Sequence, residues 1–318
     1  MTEIKDKGVL IAGGTGFLGQ VLARHLEALG RPVVVLGRHK PADHCAGRFV
    51  KWDGRTVGDW ASELVGASAV VNLTGRTVDC RKTPDRCDEI LRSRVESVNV
   101  LGEALRACED RPRVWVQAAT AHIYGDPPEV ICDESAEFGY GLAPFVAQRW
   151  EAAFQAACPS DMRAVVLRTS FVLGTTGGAF PVLRRLASLG LGGKIGSGKQ
   201  WISWLHIDDM VRIFMRAIDD ESMAGIYNVT APNAVTNANF MRSLRCAIGM
   251  SIGLPSPGWL VRLGAATLLD TDAELPLYGR NIVPKRLLDE GFAFSHAELD
   301  TALIDLVRDG SRPAPQAA

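Results

Sequence analysis

The chain has 318 residues, enough for one large α/β domain or for such a domain with a smaller lobe. Its 35 basic and 36 acidic side chains nearly balance, so the composition gives no reason to expect nucleic acid or an anionic membrane as a partner. The N-terminus lacks an apolar signal core, no run of about 18 apolar residues predicts a membrane span, and seven scattered cysteines argue against a disulfide framework or a zinc site. We therefore expect a cytoplasmic protein with reduced thiols and no metal.

A glycine-rich stretch near the N-terminus is the strongest motif in the sequence. The apolar run from Val9 to Ala12 is typical of a buried strand, and glycines follow it at Gly13, Gly16 and Gly19. An amphipathic helical pattern then runs from Val21 to Leu29. A strand, a glycine turn and a helix in this order predict a dinucleotide-binding unit.

Each of the three glycines has a predicted role in that unit. Gly13 permits the tight turn, Gly16 lets the backbone approach a pyrophosphate, and Gly19 lets the helix pack closely on the sheet. The helix N-terminus offers free N–H groups and the positive end of its dipole to the phosphates. Other candidate contacts within the motif are Thr15, Phe17 and Leu18. The alternative is a glycine-rich turn before an ordinary helix.

The residues after the second predicted strand indicate which dinucleotide binds. That strand, Pro32 to Leu36, ends at Gly37 and Arg38. An NAD site would place Asp or Glu about 20 residues after the motif to bond the ribose 2′-OH, and no acid occurs between residues 28 and 42. Arg38 offers a planar cationic fork to a 2′-phosphate. We therefore predict NADP rather than NAD, the alternative being a solvated basic turn.

Further candidate cofactor contacts follow along the chain. Phe49 to Trp52 is the third predicted strand, and Asp53 after it either accepts a hydrogen bond from adenine or caps the next turn. The fourth strand, Ala67 to Leu73, leads into Thr74, where the carboxyl end of a parallel strand faces bound ligand. A long helix is predicted over 85–109.

The long predicted helix carries two charged residues near its middle, Glu89 and Arg94, which could equally belong to a solvated face. Beyond it, strands and helices continue to alternate, which implies an α/β fold with a doubly wound, Rossmann-type parallel sheet. The predicted elements are strands at 114–118 and 163–167 and a helix at 144–157.

The pattern changes from about Leu173. Glycine clusters there suggest loops and short strands; they lie at 177–178, 190–193 and 196–198. Further predicted elements are helices at 210–218, 237–249 and 257–269 and a strand at 226–229. We predict a Rossmann domain over 1–172 whose sheet later segments complete, a smaller C-terminal substrate lobe over 173–309, and a flexible tail over 310–318.

Five short segments occur in a characteristic order: Gly13–Gly19, Asn72–Gly75, Thr120–Gly125, Leu167–Thr169 and His206–Asp209. More specific pieces lie at 93–94, 149–151, 189–201, 284–287 and 291–292. The first set resembles the extended short-chain dehydrogenases and sugar-nucleotide epimerases, and the second narrows the resemblance to short-chain dehydrogenase family 39U. It covers about residues 8–307. Bacterial members are usually labelled only as sugar-nucleotide epimerases, and their C-terminal segment is named as a domain of unknown function.

The resemblance implies an NADP(H)-binding Rossmann protein whose small-molecule substrate is unassigned. By motif position it places seven residues around the cofactor: Gly37, Arg38, Leu73, Thr74, Glu89, Arg94 and Val172. Of these, Arg94 could meet a phosphate through charge-assisted hydrogen bonds.

In active members of the wider superfamily, a Tyr acts as acid or base, a Lys four residues later lowers its pKa, and a Ser or Thr bonds the substrate oxygen. Thr120 fits the last role. The Tyr-x-x-x-Lys pair is absent, because Ala143 and Ala147 occupy the matching positions and no lysine occurs between Lys82 and Lys194.

The nearby tyrosines are Tyr124 and Tyr140, which we take as the candidate stand-in acids. An unassisted tyrosine, with a pKa near 10, is a poor base at neutral pH. We expect His122 to be a loop histidine that faces water, and Asp208 or Asp209 to be a helix N-cap rather than a catalytic acid.

Two functions are consistent with this pattern. The first is an NADP(H)-dependent oxidoreductase of epimerase type, acting on a small carbonyl or hydroxyl compound. The second is a non-catalytic NADP(H)-binding sensor or regulatory protein, which the missing Tyr-x-x-x-Lys pair favours. The cofactor half and Thr120 suit both functions, and the sequence does not indicate an oligomeric state.

Overall fold

The computed structural model describes residues 8–41, 45–127, 129–259, 272 and 274–309. The strands among them are β1 Val9–Ala12, β2 Val33–Gly37, β3 Arg48–Lys51, β4 Ala69–Asn72, β5 Val114–Thr120, β6 Ile131–Cys132, β7 Arg163–Thr169, β8 Phe171–Leu173, β9 Trp201–Ile202, β10 Trp204–His206, β11 Gly225–Val229, β12 Val235–Thr236 and β13 Asn281–Ile282. The helices are α1 Phe17–Ala28, α2 Pro84–Ala107, α3 Leu142–Ala157, α4 Phe180–Leu186, α5 Ile207–Asp219, α6 Asn237–Ala247, α7 Lys285–Asp289 and α8 Leu299–Asp309.

Seven strands form one parallel sheet in the order β3-β2-β1-β4-β5-β7-β11. The order reverses at β1, which lies between β2 and β4. Strand β1 is an unbroken apolar run that is buried throughout, as expected for a strand covered on both faces. The predicted α/β fold with a doubly wound Rossmann sheet is therefore confirmed.

Helices cover both faces of the sheet and give it two separate apolar cores. One core joins α1 and α5 to the strands through residues such as Leu26 and Phe214. The core on the opposite face joins α2 and α3 through Leu101, Trp115 and Phe154. In this second core, Trp115 and Phe154 meet edge to face, with ring centroids 5.0 Å apart.

The second half of the chain has its own apolar cluster. Phe180, Trp204, Phe240 and Leu303 are fully buried there, and they connect α4, β10, α6 and α8. The same half also supplies β11, which pairs with β7 at one edge of the large sheet. The division of the chain at residue 172 remains a prediction, and the predicted tail 310–318 and most of the predicted helix 257–269 lie outside the described residues.

Two sheet strands run further than the sequence pattern predicted. Strands β5 and β7 extend to Thr120 and Thr169, two residues beyond the expected ends. The reason is their mutual pairing, which continues until Thr120 lies opposite Thr169. This extension carries both threonines to the carboxyl edge of the sheet.

Helix α5 corrects the prediction of its N-cap. The cap is His206, whose Nδ1 accepts a hydrogen bond of 3.1 Å from the backbone N–H of Asp208. Asp208 and Asp209 lie inside the first turn instead. Asp209 is fully buried, and its carboxylate accepts hydrogen bonds of 2.9 Å from the backbone N–H groups of Ser295 and His296.

The glycine cluster at 190–193 was predicted to be a loop, but it begins inside a helical segment. Helix α4 continues directly into a π-helical turn, Ala187–Leu191, and the chain leaves it at Gly190, where φ is +79°. Among the described residues, no helix combines the length and apolar character needed to cross a membrane. All seven cysteines are free thiols.

Candidate functional site: the crevice above strands β1 and β4

The reversal of strand order at β1 creates a crevice at the carboxyl edge of the sheet. Segment 13–16 follows β1, and segment 73–75 follows β4. The two segments approach closely: a Cβ atom added to Gly13 would lie 2.9 Å from the backbone nitrogen of Thr74. In doubly wound sheets, this is the place where dinucleotides bind.

The glycine turn has the geometry that its sequence predicts. Gly13 has φ of +73°, a left-handed conformation that favours glycine. Gly16 has an ordinary φ of −81°, and a Cβ atom there would meet only the carbonyl oxygen of Gly13, at 3.5 Å. The space beside Gly16 is therefore not filled by the described residues of the protein.

Gly19 provides a close approach between helix α1 and the turn that precedes it. A Cβ atom on it would lie 2.5 Å from the Cα atom of Gly14. Glycine at this position therefore lets the start of the helix pack closely on the glycine turn. Thr15 lies over the end of β2, since a Cβ atom on Gly37 would be 2.7 Å from its Cγ2 atom.

The N-terminus of α1 lacks the usual stabilising groups. Its N-cap is Gly16, which has no side chain to accept a hydrogen bond, and the first turn contains no acidic residue. The orphan N–H groups and the positive dipole end are thus available to an anion. Leu18 faces the sheet core, whereas Phe17 packs against Gly174 and Gly177 from the second half of the chain.

Thr74 carries a buried polar atom that lacks a partner. Its backbone N–H donates to Oδ1 of Asn72 at 3.0 Å, but its Oγ1 atom is buried and has no hydrogen bond among the described residues. Leu73 beside it donates a backbone hydrogen bond of 2.8 Å to Ala12. An orphan hydroxyl, an uncapped helix and open space beside Gly16 together fit a bound dinucleotide.

Arg38 lies at the carboxyl end of β2, directly after Gly37. Its side chain is exposed, and no ion pair engages it in the part of the chain that the structure describes. Asp53 is occupied differently: its carboxylate accepts hydrogen bonds from the N–H groups of Thr56 and Arg55 at 3.0 and 2.8 Å. These bonds lower the pKa of Asp53 and identify it as the cap of its turn.

Arg94 is not part of a solvated helix face. It lies against the segment after β4, because a Cβ atom on Gly75 would be 3.1 Å from its guanidinium carbon. The guanidinium carbon lies 5.1 Å from the ring centroid of Trp150. The guanidinium also donates a hydrogen bond of 2.9 Å to the carbonyl oxygen of Ile90. Burial lowers its pKa to about 10. A desolvated cation beside the crevice is well placed to receive an anion.

The two remaining predicted cofactor contacts differ in their surroundings. Glu89 forms an ion pair with Arg76 and is partly exposed on α2. Val172 is buried in β8, opposite Leu205 of β10, two residues before Gly174. Neither is among the buried polar side chains that lack a hydrogen-bond partner in the described part of the chain, as Thr74 is.

The side chains of the candidate catalytic residues differ widely in exposure. Thr120 is partly exposed at the end of β5, and its Oγ1 atom accepts a hydrogen bond of 3.2 Å from the N–H of His122. Tyr140 is 98% exposed on a loop. Tyr124 is only 2% exposed, and its hydroxyl donates to Asn228 Oδ1 at 2.7 Å. The role of Thr120 toward a substrate oxygen stays a prediction.

The surroundings of Tyr124 do not fit the role of stand-in acid. Its hydroxyl also accepts a hydrogen bond of 2.8 Å from Arg168. The hydroxyl therefore acts as both donor and acceptor toward groups inside the protein. Burial raises its pKa to about 12, further from neutral than that of an ordinary tyrosine. Ala147, at the position of the missing lysine, is fully buried in the same apolar cluster.

A buried ion pair anchors this region, and the sequence reasoning missed its role. Arg168 donates two hydrogen bonds of 2.8 Å to the carboxylate of Glu151, and both side chains are buried. Burial opposes the charge of Arg168, but the bonds to Glu151 outweigh it and raise the pKa of Arg168 above its ordinary value. The sequence does mark these two residues, since Arg168 lies in the segment Leu167–Thr169 and Glu151 in the segment 149–151 that carry the family resemblance.

His122 does not face water as expected. It is partly buried, and burial together with the charges of Arg280 and Lys82 lowers its pKa to about 3. Arg280 lies near His122 because a later segment of the chain packs beside it. The Arg280 guanidinium donates hydrogen bonds of 2.6 Å to the carbonyl oxygen of Gly125 and 2.5 Å to the carboxylate of Asp126. A neutral imidazole therefore lies next to Thr120 at the edge of the crevice.

Comparison with known proteins places these features in context. The model of the NAD dependent epimerase/dehydratase family matches residues 9–230, and that of a domain of unknown function (DUF1731) matches 256–306. Epimerase family protein SDR39U1 of Homo sapiens is 34% identical over 304 residues, 94% of this chain and 99% of the human one. The chloroplastic SDR39U1 homolog of Arabidopsis thaliana is 30% identical over 93% of this chain and 85% of its own.

A solved structure extends the similarity to three dimensions. The crystal structure of human SDR39U1 (isoform 2) with NADPH has a TM-score of 0.84 and 31% sequence identity to this chain. The match covers 95% of this chain and 99% of the human one.

Proposed function

Because the chain belongs to the NAD dependent epimerase/dehydratase family, and within it to the SDR39U1-type epimerase family proteins, we propose that it binds NADP(H) in the crevice above β1 and β4. We further propose that it is an oxidoreductase for a small carbonyl or hydroxyl compound in the cytoplasm. The observation that carries the proposal is the open space beside Gly16, at an uncapped helix N-terminus.

Different residues of the crevice would bind different parts of NADP(H). The N–H groups at the start of α1 would hold the pyrophosphate, because the Gly16 backbone is open there. Arg38 would hold the 2′-phosphate, and the Oγ1 atom of Thr74 would gain the hydrogen bond that it lacks within the protein. Arg94 adds a desolvated positive charge on the β4 side. When bound, NADPH supplies a hydride.

The proton is the difficult part of any reduction in this crevice. Thr120 can orient an oxygen, but Tyr124 is engaged in the protein interior and Tyr140 points into solvent. General acid–base help is typically worth about 10²–10⁴-fold in rate. We therefore expect very slow turnover of ordinary sugar nucleotides, with NADPH remaining bound.

A second candidate function has a specific observation in its favour. Ala143 and Ala147 replace the catalytic pair, and Ala147 is buried in an apolar cluster with Tyr124, so the site is built without room for a lysine. A protein that holds NADP(H) without turning over a substrate, as a sensor or regulator, would have this construction.

Two measurements test the proposal in sequence. Native mass spectrometry of the protein purified from cells should show NADP(H) carried along, and calorimetric titration should show tighter binding of NADPH than of NADH. Absence of binding to either dinucleotide would refute the proposed site.

A panel of UDP-sugars, dTDP-sugars and small carbonyls, followed by NADPH absorbance, separates the two candidates. Slow oxidation with one carbonyl class supports the oxidoreductase, whereas binding with no oxidation across the panel supports the sensor. Epimerisation leaves the amount of NADPH unchanged overall, so the sugar nucleotides are also incubated with NADP⁺ and separated by chromatography; fast epimerisation of any of them would show that the missing Tyr-x-x-x-Lys pair matters less than we argue.

A further inference from the structure

Two histidine and two aspartate side chains lie close together outside the crevice above β1 and β4. His206 ends β10, Asp208 lies in the first turn of α5, His296 lies between α7 and α8, and Asp305 lies in α8. One donor atom from each lies within 4.8 Å of the others. The four residues come from three separated segments, so no metal-ligand spacing is visible in the sequence, which predicts no metal.

His206 brings a buried nitrogen without a partner to this cluster. The residue is only 1% exposed, and its Nε2 atom makes no hydrogen bond among the described residues. That atom faces Oδ2 of Asp305 across 3.5 Å. A buried polar atom without a hydrogen bond is uncommon in folded proteins and calls for a ligand.

His296 is held in place by a residue outside the cluster. The buried carboxylate of Asp209 accepts hydrogen bonds from the backbone N–H groups of Ser295 and His296. It also accepts a hydrogen bond of 2.8 Å from the guanidinium of Arg212. These contacts fix the loop so that the ring of His296 stacks on that of His206, with ring centroids 3.7 Å apart. The loop contacts therefore keep His296 beside His206 before any ligand binds.

We propose that His206, His296 and Asp305 bind a divalent first-row transition metal, with Zn²⁺ the best match, and that Asp208 supports the site. Imidazole nitrogens and a carboxylate oxygen are ordinary ligands for this ion. Bond lengths of about 2.1 Å in a tetrahedron place ligand atoms about 3.4 Å apart. The observed separation of 3.5 Å between His206 Nε2 and Asp305 Oδ2 agrees with that spacing.

The proton of His206 has a defined destination in this proposal. In the metal-free protein Nδ1 accepts the N–H of Asp208, so the ring proton resides on Nε2. If a metal bound at Nε2, the ring proton would have to move to Nδ1, and the cap hydrogen bond from the N–H of Asp208 would be lost. The carboxylate of Asp208, now 3.6 Å from Nδ1, would have to move closer to accept that proton in a hydrogen bond.

The position of the cluster indicates what the metal would do. It joins the start of α5, which packs on the core of the large sheet, to α8, which packs in the second apolar cluster. A metal bound here would therefore tie the two packing units together. Its role is structural, because no residue of the crevice takes part.

The test uses the full-length protein, stripped with a chelator and titrated with Zn²⁺ by calorimetry. We expect one saturable site and a rise in Tm of about 4 °C at a Zn²⁺ concentration 100 times the Kd. Asp305→Asn and His296→Gln should each weaken binding at least tenfold and remove the rise in Tm. Asp305 is 52% exposed, so its variant should fold.

Matched variants and a second metal exclude other sources of binding. Asp300→Asn on the same helix and His25→Gln on α1, both exposed, should bind like wild type. Co²⁺ should give the same stoichiometry without a thiolate charge-transfer band, which separates this site from the free cysteines. No saturable binding, or wild-type binding by Asp305→Asn, would overturn the proposal.

Discussion

The hydroxyl of Tyr124 donates a 2.7 Å hydrogen bond to Oδ1 of Asn228, a residue 104 positions further along the chain. Asn228 lies in β11, the strand that the second half of the chain adds to the sheet. Its Nδ2 atom donates in turn to the carbonyl of Val283 at 3.1 Å. The tyrosine is therefore a link between distant segments, and its hydroxyl supports the fold.

Tyr124→Phe should accordingly destabilise the protein by about 1–3 kcal/mol, because Arg168 and Asn228 would each lose a buried hydrogen-bond partner. Urea or thermal unfolding measures the loss. Tyr140→Phe is the matched control and should unfold like wild type, since Tyr140 is almost fully exposed. If Tyr124→Phe were as stable as the control but lost slow NADPH oxidation, Tyr124 would be the proton donor after all.

Gly16→Val should abolish dinucleotide binding in a protein that still folds. The backbone at Gly16 is not left-handed and the added side chain meets no tight protein contact, so the fold tolerates it, but the side chain would fill the space of the pyrophosphate. Circular dichroism and calorimetric titration give the two readouts. Gly58→Val, at another extended and open glycine, should fold and bind normally. A folded Gly16→Val variant with unchanged affinity would disprove the assigned phosphate position.

Arg38→Ala should weaken NADPH binding by roughly tenfold to a hundredfold and leave NADH binding nearly unchanged. The loss corresponds to one charged hydrogen-bond donor, about 1.5–3 kcal/mol, and only NADPH carries the 2′-phosphate that it serves. Arg113→Ala is the control, because Arg113 is an exposed arginine at the amino edge of the sheet. Equal affinities of the wild type for the two dinucleotides would contradict the assignment.

The environment of His122 predicts an acid-sensitive contribution to stability. Its pKa falls from an ordinary 6.5 in the unfolded chain to about 3 in the folded protein, so the unfolded chain binds the extra proton between these values. The contribution is complete above about pH 6.5 and is lost as the pH falls toward 3, with a slope of at most about 1.4 kcal/mol per pH unit.

Unfolding curves at pH 7 and pH 4.5 measure the contribution of His122. The His122→Gln variant should lose less stability than wild type over this interval, while His25→Gln, on the exposed end of α1, should match wild type. Identical losses in all three proteins would show that His122 titrates normally in the folded state.

The sequence predicted the parallel sheet and the glycine turn well, and the reason is local physics. The turn at Gly13 and the open position at Gly16 depend on a few consecutive residues whose conformational preferences the sequence shows directly. The parallel sheet followed from the alternation of apolar strands and amphipathic helices. Arg38 was chosen by its distance from the motif, which strand and turn lengths fix, and its contact with a 2′-phosphate stays a prediction.

The surroundings of Tyr124 and His122 were predicted poorly, since they depend on contacts between distant segments. Nothing near Tyr124 in the sequence indicates that Asn228 and Arg168 occupy its hydroxyl. His122 looked exposed because Arg280, which returns to bond the carbonyl of Gly125, lies more than 150 positions away. The capping role of His206 was missed because aspartates follow it, and these are the commoner N-caps.

The late position of β11 has a consequence for how the protein is made. Until residues 225–229 have left the ribosome, β7 is an unpaired edge strand whose free N–H and C=O groups can pair with another chain. Arg163, at the start of β7, also lacks its acceptors until then. In the folded protein it donates hydrogen bonds of 2.8 and 2.7 Å to the carbonyl oxygens of Ala217 and Met223. The first 172 residues alone should therefore aggregate, and nascent chains should need protection until β11 has docked.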